Sequence, residues 1–206
     1  MKSSLLTLLA LCVLVTGCAS TQQLSSADRA QLDEVRINPV IETVPQMYYL
    51  GPGSGIGFLF GPLGGAITAV SNMAPGEQLK KFAADNGVNI DGIVLQEATD
   101  AFRKSGKVRL TQTPGPKVAT LNISIPLYGF SIPNGFSSKL VPIVDIRCTL
   151  VDADGKVIWR SSGATHPLGN PADGETLSDF RSDPKLMEAS WRTAARAVMA
   201  GIVGNL

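Results

Sequence analysis

The sequence predicts an α+β domain in two layers, a small antiparallel sheet of three or four strands with helices packed on one face. Three observations lead there. Apolar residues recur at helical spacing over residues 75–104 and again over 184–202. Between those blocks the spacing changes to two, as in half-buried strands. Turn residues punctuate every change of period, and the order helix, helix, strands, helix suits helices covering one side of a sheet.

The first helix is expected over Pro75 to Asp85, with Leu79, Phe82 and Ala83 on one face and Gly87 past its end. Asn89 or Asp91 can cap a second, running to Lys104. Ile90, Ile93, Val94, Ala98, Ala101 and Phe102 form its inner face, with Glu97, Asp100 and Arg103 turned to water. A short strand begins at Val108 and Leu110 and is stopped by Pro114-Gly115-Pro116. Ala119, Leu121, Ile123 and Ile125 alternate with Thr120, Asn122 and Ser124, and Asn134-Gly135 marks a turn. Val144, Ile146, Cys148 and Leu150 alternate with Asp145, Arg147 and Thr149. Asp152-Ala153-Asp154-Gly155 then turns the chain into a partner strand, Lys156 to Arg160, with Val157 and Trp159 on one face. Thr165 to Asp179, rich in Gly, Pro, Asn and Asp, reads as a surface loop. Ser182 or Asp183 caps the last helix, whose stripe is Met187, Trp191, Ala194, Val198 and Ile202, with Arg192 and Arg196 on the wet side.

Upstream of this domain (residues 74–206) the chain is of another kind. Met1 to Ser4 carry one positive charge, and an apolar run from Leu5 to Val15 follows. That run is shorter than the roughly 20 residues a membrane-crossing helix requires, so it reads as a secretory signal. It ends in Val15-Thr16-Gly17-Cys18: a branched apolar residue, two small ones and a cysteine. This ending resembles the lipobox of bacterial lipoproteins. The resemblance implies removal of residues 1–17 and acylation of Cys18, which becomes the first mature residue. With two or three acyl chains, attachment to a membrane is firm. Ala19 stands where an aspartate would signal inner-membrane retention, so the resemblance implies the outer membrane, facing the periplasm.

Residues 18–47 then form a lipidated N-terminus and tether. Ala19 to Ser26 is small and polar, Asp28 to Val35 suits a short helix capped by Ser26 or Asp28, and Pro39 and Pro45 impose extended chain. Residues 48–73 are glycine-rich, and no charge occurs between Glu42 and Glu77. Gly53, Gly57, Gly61, Gly65 and Ala69 recur every four residues, a spacing similar to the glycine zippers of some outer-membrane lipoproteins and membrane-active peptides. It makes those five residues candidates for membrane or self-association contact. Pro62 opposes one continuous helix, so a glycine-rich loop leading into a buried helix is the other reading. Gly53-Ser54-Gly55-Ile56-Gly57 lacks the Lys-Ser/Thr of a phosphate-binding loop.

Composition narrows function further. Without Lys2 the mature part carries 17 basic and 17 acidic residues, which gives no basic surplus for nucleic acid. Hydrophobic residues make up 44% of the chain, enough for a packed core. Loss of Cys12 and acylation of Cys18 leave Cys148 alone, so no internal disulfide is expected. His166 is the only histidine, and no Gly-x-Ser-x-Gly elbow accompanies it. No Cys-x-x-Cys or histidine pair offers zinc its ligands. Asp152-x-Asp154-Gly155 is hairpin chemistry rather than a calcium loop, and the carboxylates on the solvated faces show no glycosidase pairing. No catalytic residue, metal or cofactor is therefore expected. Exposed Tyr48, Tyr49, Phe58 and Phe60 are candidates for contact with a partner or lipid. The layout loosely resembles small envelope lipoprotein domains, including accessory subunits of transport and secretion assemblies. The expectation is a non-enzymatic protein that binds or scaffolds another envelope component; the alternative is insertion or self-association through residues 51–70.

Overall fold

The computed structural model describes residues 21–51, 74–134, 137–165 and 174–206. Cys18, the five residues of the four-residue repeat, Phe58, Phe60 and His166 lie outside them.

A sheet runs through the whole domain and is larger than expected. Its strands are β1 (Glu34–Ile37), β2 (Glu42–Thr43), β3 (Tyr48–Leu50), β4 (Arg109–Leu110), β5 (Val118–Ser131), β6 (Lys139–Val151), β7 (Val157–Ala164) and β8 (Glu175–Thr176). The main order is β4-β1-β5-β6-β7, with β2 and β3 also on β5 and β8 on β6. β5, β6 and β7 pair antiparallel, but β1, β2 and β3 all run parallel to β5, and β4 runs parallel to β1. The expected antiparallel sheet of three or four strands is thus corrected to a mixed sheet of eight among the described residues.

Of the extra strands, β1 and β2 come from the stretch read as tether, β3 from the start of the glycine-rich segment and β8 from the stretch read as a surface loop. Prolines 39 and 45 do extend the chain, and they also cut it into pieces too short to show a period of two. Each piece finds its own station along β5: Val35 beside Ala119, Thr43 beside Ile125, Tyr49 beside Phe130. Proline has no N–H for a ladder, which is why it falls between the strands.

β5 is two half-strands of opposite phase. Ala119, Leu121, Ile123 and Ile125 are buried at odd positions, and past a register shift between Ser124 and Leu127 Tyr128 and Phe130 turn into the core while Ser131 is buried on the other side. The shift surrounds Pro126, and such a bulge turns the next residues over. On β6, Val144, Ile146, Cys148 and Leu150 point into the core.

Five helices are described: α1 (Ser26–Gln31), α2 (Pro75–Asp85), α3 (Ile90–Ser105), α4 (Leu177–Ser182) and α5 (Pro184–Gly204). The Ser25 hydroxyl caps α1 by accepting from the Asp28 N–H, so the helix ends well before Val35, which is buried in β1. Asn89 caps α3 by accepting from the Asp91 and Gly92 amides, and Asp183 caps α5. The stretch read as a loop after Thr165 contains β8 and α4, the latter closed by a reciprocal Thr176–Asp179 capping box. α5 and α3 lie together over the sheet. Trp191 of α5 stacks on Phe130 at 5.1 Å, meets Tyr128 edge-on at 5.9 Å, and donates its indole N–H to the Gly129 carbonyl at 3.2 Å. Phe102 of α3 meets Trp159 of β7 edge-on at 6.4 Å.

One charge assignment is reversed. Glu97 is only 4% exposed and lies between α3 and α5, where the Arg196 Nε donates to it at 2.9 Å and the Arg192 Nη1 at 3.2 Å. Burial pushes its carboxyl up, and the two guanidiniums outweigh that, holding it below the usual glutamate range.

Candidate binding surfaces

The helices lie against one face of the sheet; the other face is half-exposed or exposed along its middle, while at its β3 end Ser131, Val141 and Ile143 are buried. Register fixes what that outer face displays. Arg36 lies beside Thr120; Asn122, Thr149 and Arg160 form the next row; Ser124, Arg147 and Ser162 form the row after. All are polar because every second residue of β5, β6 and β7 turns outward. Several hold one another. The Asn38 amide donates to Asn122 at 3.0 Å, Arg36 donates to Thr120 at 3.4 Å, and Arg147 donates to Asp145 at 3.4 Å. The Arg36 Nε is buried without a hydrogen-bond partner among the described residues. The result is a surface of amides, hydroxyls and guanidiniums able to hydrogen-bond another protein, with Val151 beside Thr120 and Leu127 beside Asp145 as its apolar members.

The second surface is an apolar groove of about 740 Å³ on the helix side, between α5 and the ends of β6 and β7. Its α5 wall presents Ala189, Thr193, Ala197 and Gly201, one exposed residue per turn, and small residues there leave the space open. Gly163 forms part of its β7 wall. A Cβ there would lie 3.1 Å from the Val198 Cγ1, so glycine lets α5 settle close to β7. Thr165 fastens the end of β7 to β6, since its hydroxyl accepts from the Val144 N–H at 2.9 Å and donates to the Pro142 carbonyl at 3.1 Å.

β7 is the outer strand beside this groove, and its free edge is partly taken. The Gln22 N–H donates to the Arg160 carbonyl at 2.8 Å, and the Arg160 N–H donates back at 3.0 Å. Ser162 and Ala164 direct their backbone groups the same way, by the alternation of a strand, and no described residue pairs with them.

Cys148 is 1% exposed, in the core position its alternation indicates. Burial pushes its thiol up to about 12. It is therefore expected to resist a thiol-specific disulfide reagent at pH 8 and to react once the fold is opened by denaturant; fast labelling of the native protein would contradict that placement. Tyr48 is 40% exposed, whereas Tyr49 packs against the core and burial raises its phenol to about 12. No group of three or more metal-ligating side chains occurs among the described residues, and none of the described helices is long and apolar enough to cross a membrane. Alternation on β5 and β6 made the outer face legible in the sequence. The groove was not, because it depends on which side of α5 meets β7.

No family model matches the chain, and no curated protein matches it. Among solved structures it is similar to the PelC dodecamer protein of Paraburkholderia phytofirmans, at 13% identity and a TM-score of 0.40 over 91% of this chain and 98% of that one. It is also similar to a Xanthomonas campestris protein of the DUF330 family, at 14% identity and a TM-score of 0.45 over 92% of this chain and 88% of that one.

Proposed function

We propose that the chain is a lipid-anchored, non-enzymatic protein of the outer membrane, facing the periplasm, that binds or scaffolds another envelope component through the open face of its sheet. The observation that carries this reading is the polar middle of the sheet's outer face. A helix layer buries one side, and on the other the rows of Asn, Thr and Ser are half-exposed and Arg147 and Arg160 exposed. Supporting it, Val15 to Cys18 supply a site for acylation, which holds the domain at a membrane without a spanning helix. A rigid polar sheet face gives its partner hydrogen bonds in fixed directions at little entropic cost.

The double variant Arg147→Glu with Arg160→Glu, at two exposed positions, tests this. Both sites are on the outer face, so stability should stay within about 0.5 kcal/mol of the natural protein. Membrane fractionation should be unchanged, while the partner that co-purifies with the natural chain should be lost. A partner retained at full yield by the correctly folded variant would refute the assignment of this face.

A further inference from the structure

The groove between α5 and β7 lies where the N-terminal tether meets the domain. We propose that its occupant is an acyl chain of the protein's own Cys18. This inference rests on the acylation of Cys18 proposed above and goes beyond it, since acylation alone requires nothing of the domain.

Direction comes from Gln22. Its mutual backbone bonds with Arg160 set the tether antiparallel to β7, and its side-chain amide adds a bond to the Val157 carbonyl at 3.2 Å. Moving back toward the N-terminus from Gln22 therefore means moving toward Ala164. Four residues separate Cys18 from Gln22, a reach of about 13–14 Å. Four residues also separate Arg160 from Ala164, about 13 Å of strand. The reach of Cys18 thus ends where Ala164 and Thr165 line the groove.

The dimensions and the chemistry agree. An acyl chain spans half of a hydrocarbon core of ~30 Å, or about 15 Å. From Leu186 to Gly201 the groove follows about 22 Å of α5, at 1.5 Å per residue. Its lining is mainly methyl and methylene, from residues such as Val141, Leu186, Ala197 and Val198, with Glu175, Thr193 and Asn205 as polar members, so an acyl chain gains by lying along the apolar part. A second copy pairing edge to edge is disfavoured. Gln22 already takes the middle of the β7 edge, and only Ser162 and Ala164 remain outward, too few for a stable ladder between copies. One chain in the groove and the rest in the bilayer would hold the β7 edge against the membrane surface.

The test uses the mature protein purified from membranes in deuterated detergent, beside its Ala197→Trp variant. Ala197 is exposed, so the indole fills the groove without entering the core. The mass of the N-terminal peptide is read first; an unacylated Cys18 would overturn both the anchoring and this inference. With acylation present, the natural protein should show nuclear Overhauser contacts from acyl methylenes to the Ala197 and Val198 methyls. Its Ser162 and Ala164 amides should exchange about tenfold more slowly than in the variant. Acyl contacts to detergent alone, with both amides exchanging equally fast in the two proteins, would overturn the groove assignment and leave the anchoring intact.

Discussion

Replacing Gly129 by alanine is expected to detach β3 from the sheet. Gly129 has φ +148°, and a Cβ built there falls 1.8 Å from the Tyr48 carbonyl oxygen. That contact is with backbone, so no side-chain rotation relieves it. Both the strand-to-strand approach and the dihedral thus require glycine, and the expected loss of stability is about 3 kcal/mol or more. The damage should be local at first. Tyr48 to Leu50 pair with Gly129 to Ser131, and Gly76 of α2 lies against the Met47 carbonyl, so α2 should loosen along with β3. Hydrogen exchange would show it as faster amides across β3 and α2, while β6 and β7 keep their protection. An unaltered melting temperature would show that β3 does not approach β5 as described.

The second large effect concerns Glu97. Removing its carboxylate by Glu97→Ala leaves two guanidiniums facing each other with no anion between them. Arg196 is 66% exposed and keeps its water, and Arg192 keeps its pair with Glu188 at 2.7 Å, so the expected cost is about 2 kcal/mol, below the full cost of breaking a buried pair. Glu97→Gln keeps the shape and one acceptor and should cost about 1 kcal/mol. The sign of the pH dependence follows from the depressed carboxyl. Its folded value lies below the ordinary 4.5, so its contribution is complete above that pH and is lost as pH falls through the folded value. Acid titration of stability should therefore be shallower in Glu97→Gln than in the natural protein. Parallel acid curves for the two would contradict the ion pairs drawn between α3 and α5.

These two residues also mark the limits of the sequence reading. The long helices were legible because Met187, Trp191, Ala194, Val198 and Ile202 repeat with the helical period. The core of β6 was legible from four alternating residues. Glu97 was read as solvated because it is charged. Its position, three or four residues after Ile93 and Val94, lies on the buried stripe, and Arg192 with Arg196 one turn apart supplies the partners. β1, β2 and β3 escaped for a different reason. Their partner on β5 lies more than 80 residues downstream, and segments of two to four residues carry too few side chains to declare a period. The parallel arm of the sheet is therefore a product of tertiary pairing, with Pro39 and Pro45 deciding where it breaks. The bulge at Pro126 similarly hid Tyr128 and Phe130, whose phase makes sense only after the register shift.

The outer face and the groove follow from the same arrangement. A mixed sheet covered by helices on one side leaves polar rows across the middle of the other, and α5 approaching β7 through Gly163 leaves the apolar channel beside the free edge. A photoreactive residue placed in living cells at Thr149, in the middle of the outer face, or at Arg103, exposed on α3 behind the sheet, separates the two sides. The account predicts a discrete cross-linked envelope partner from Thr149 and none from Arg103. The same partner trapped with equal yield from Arg103, and nothing from Thr149, would contradict it.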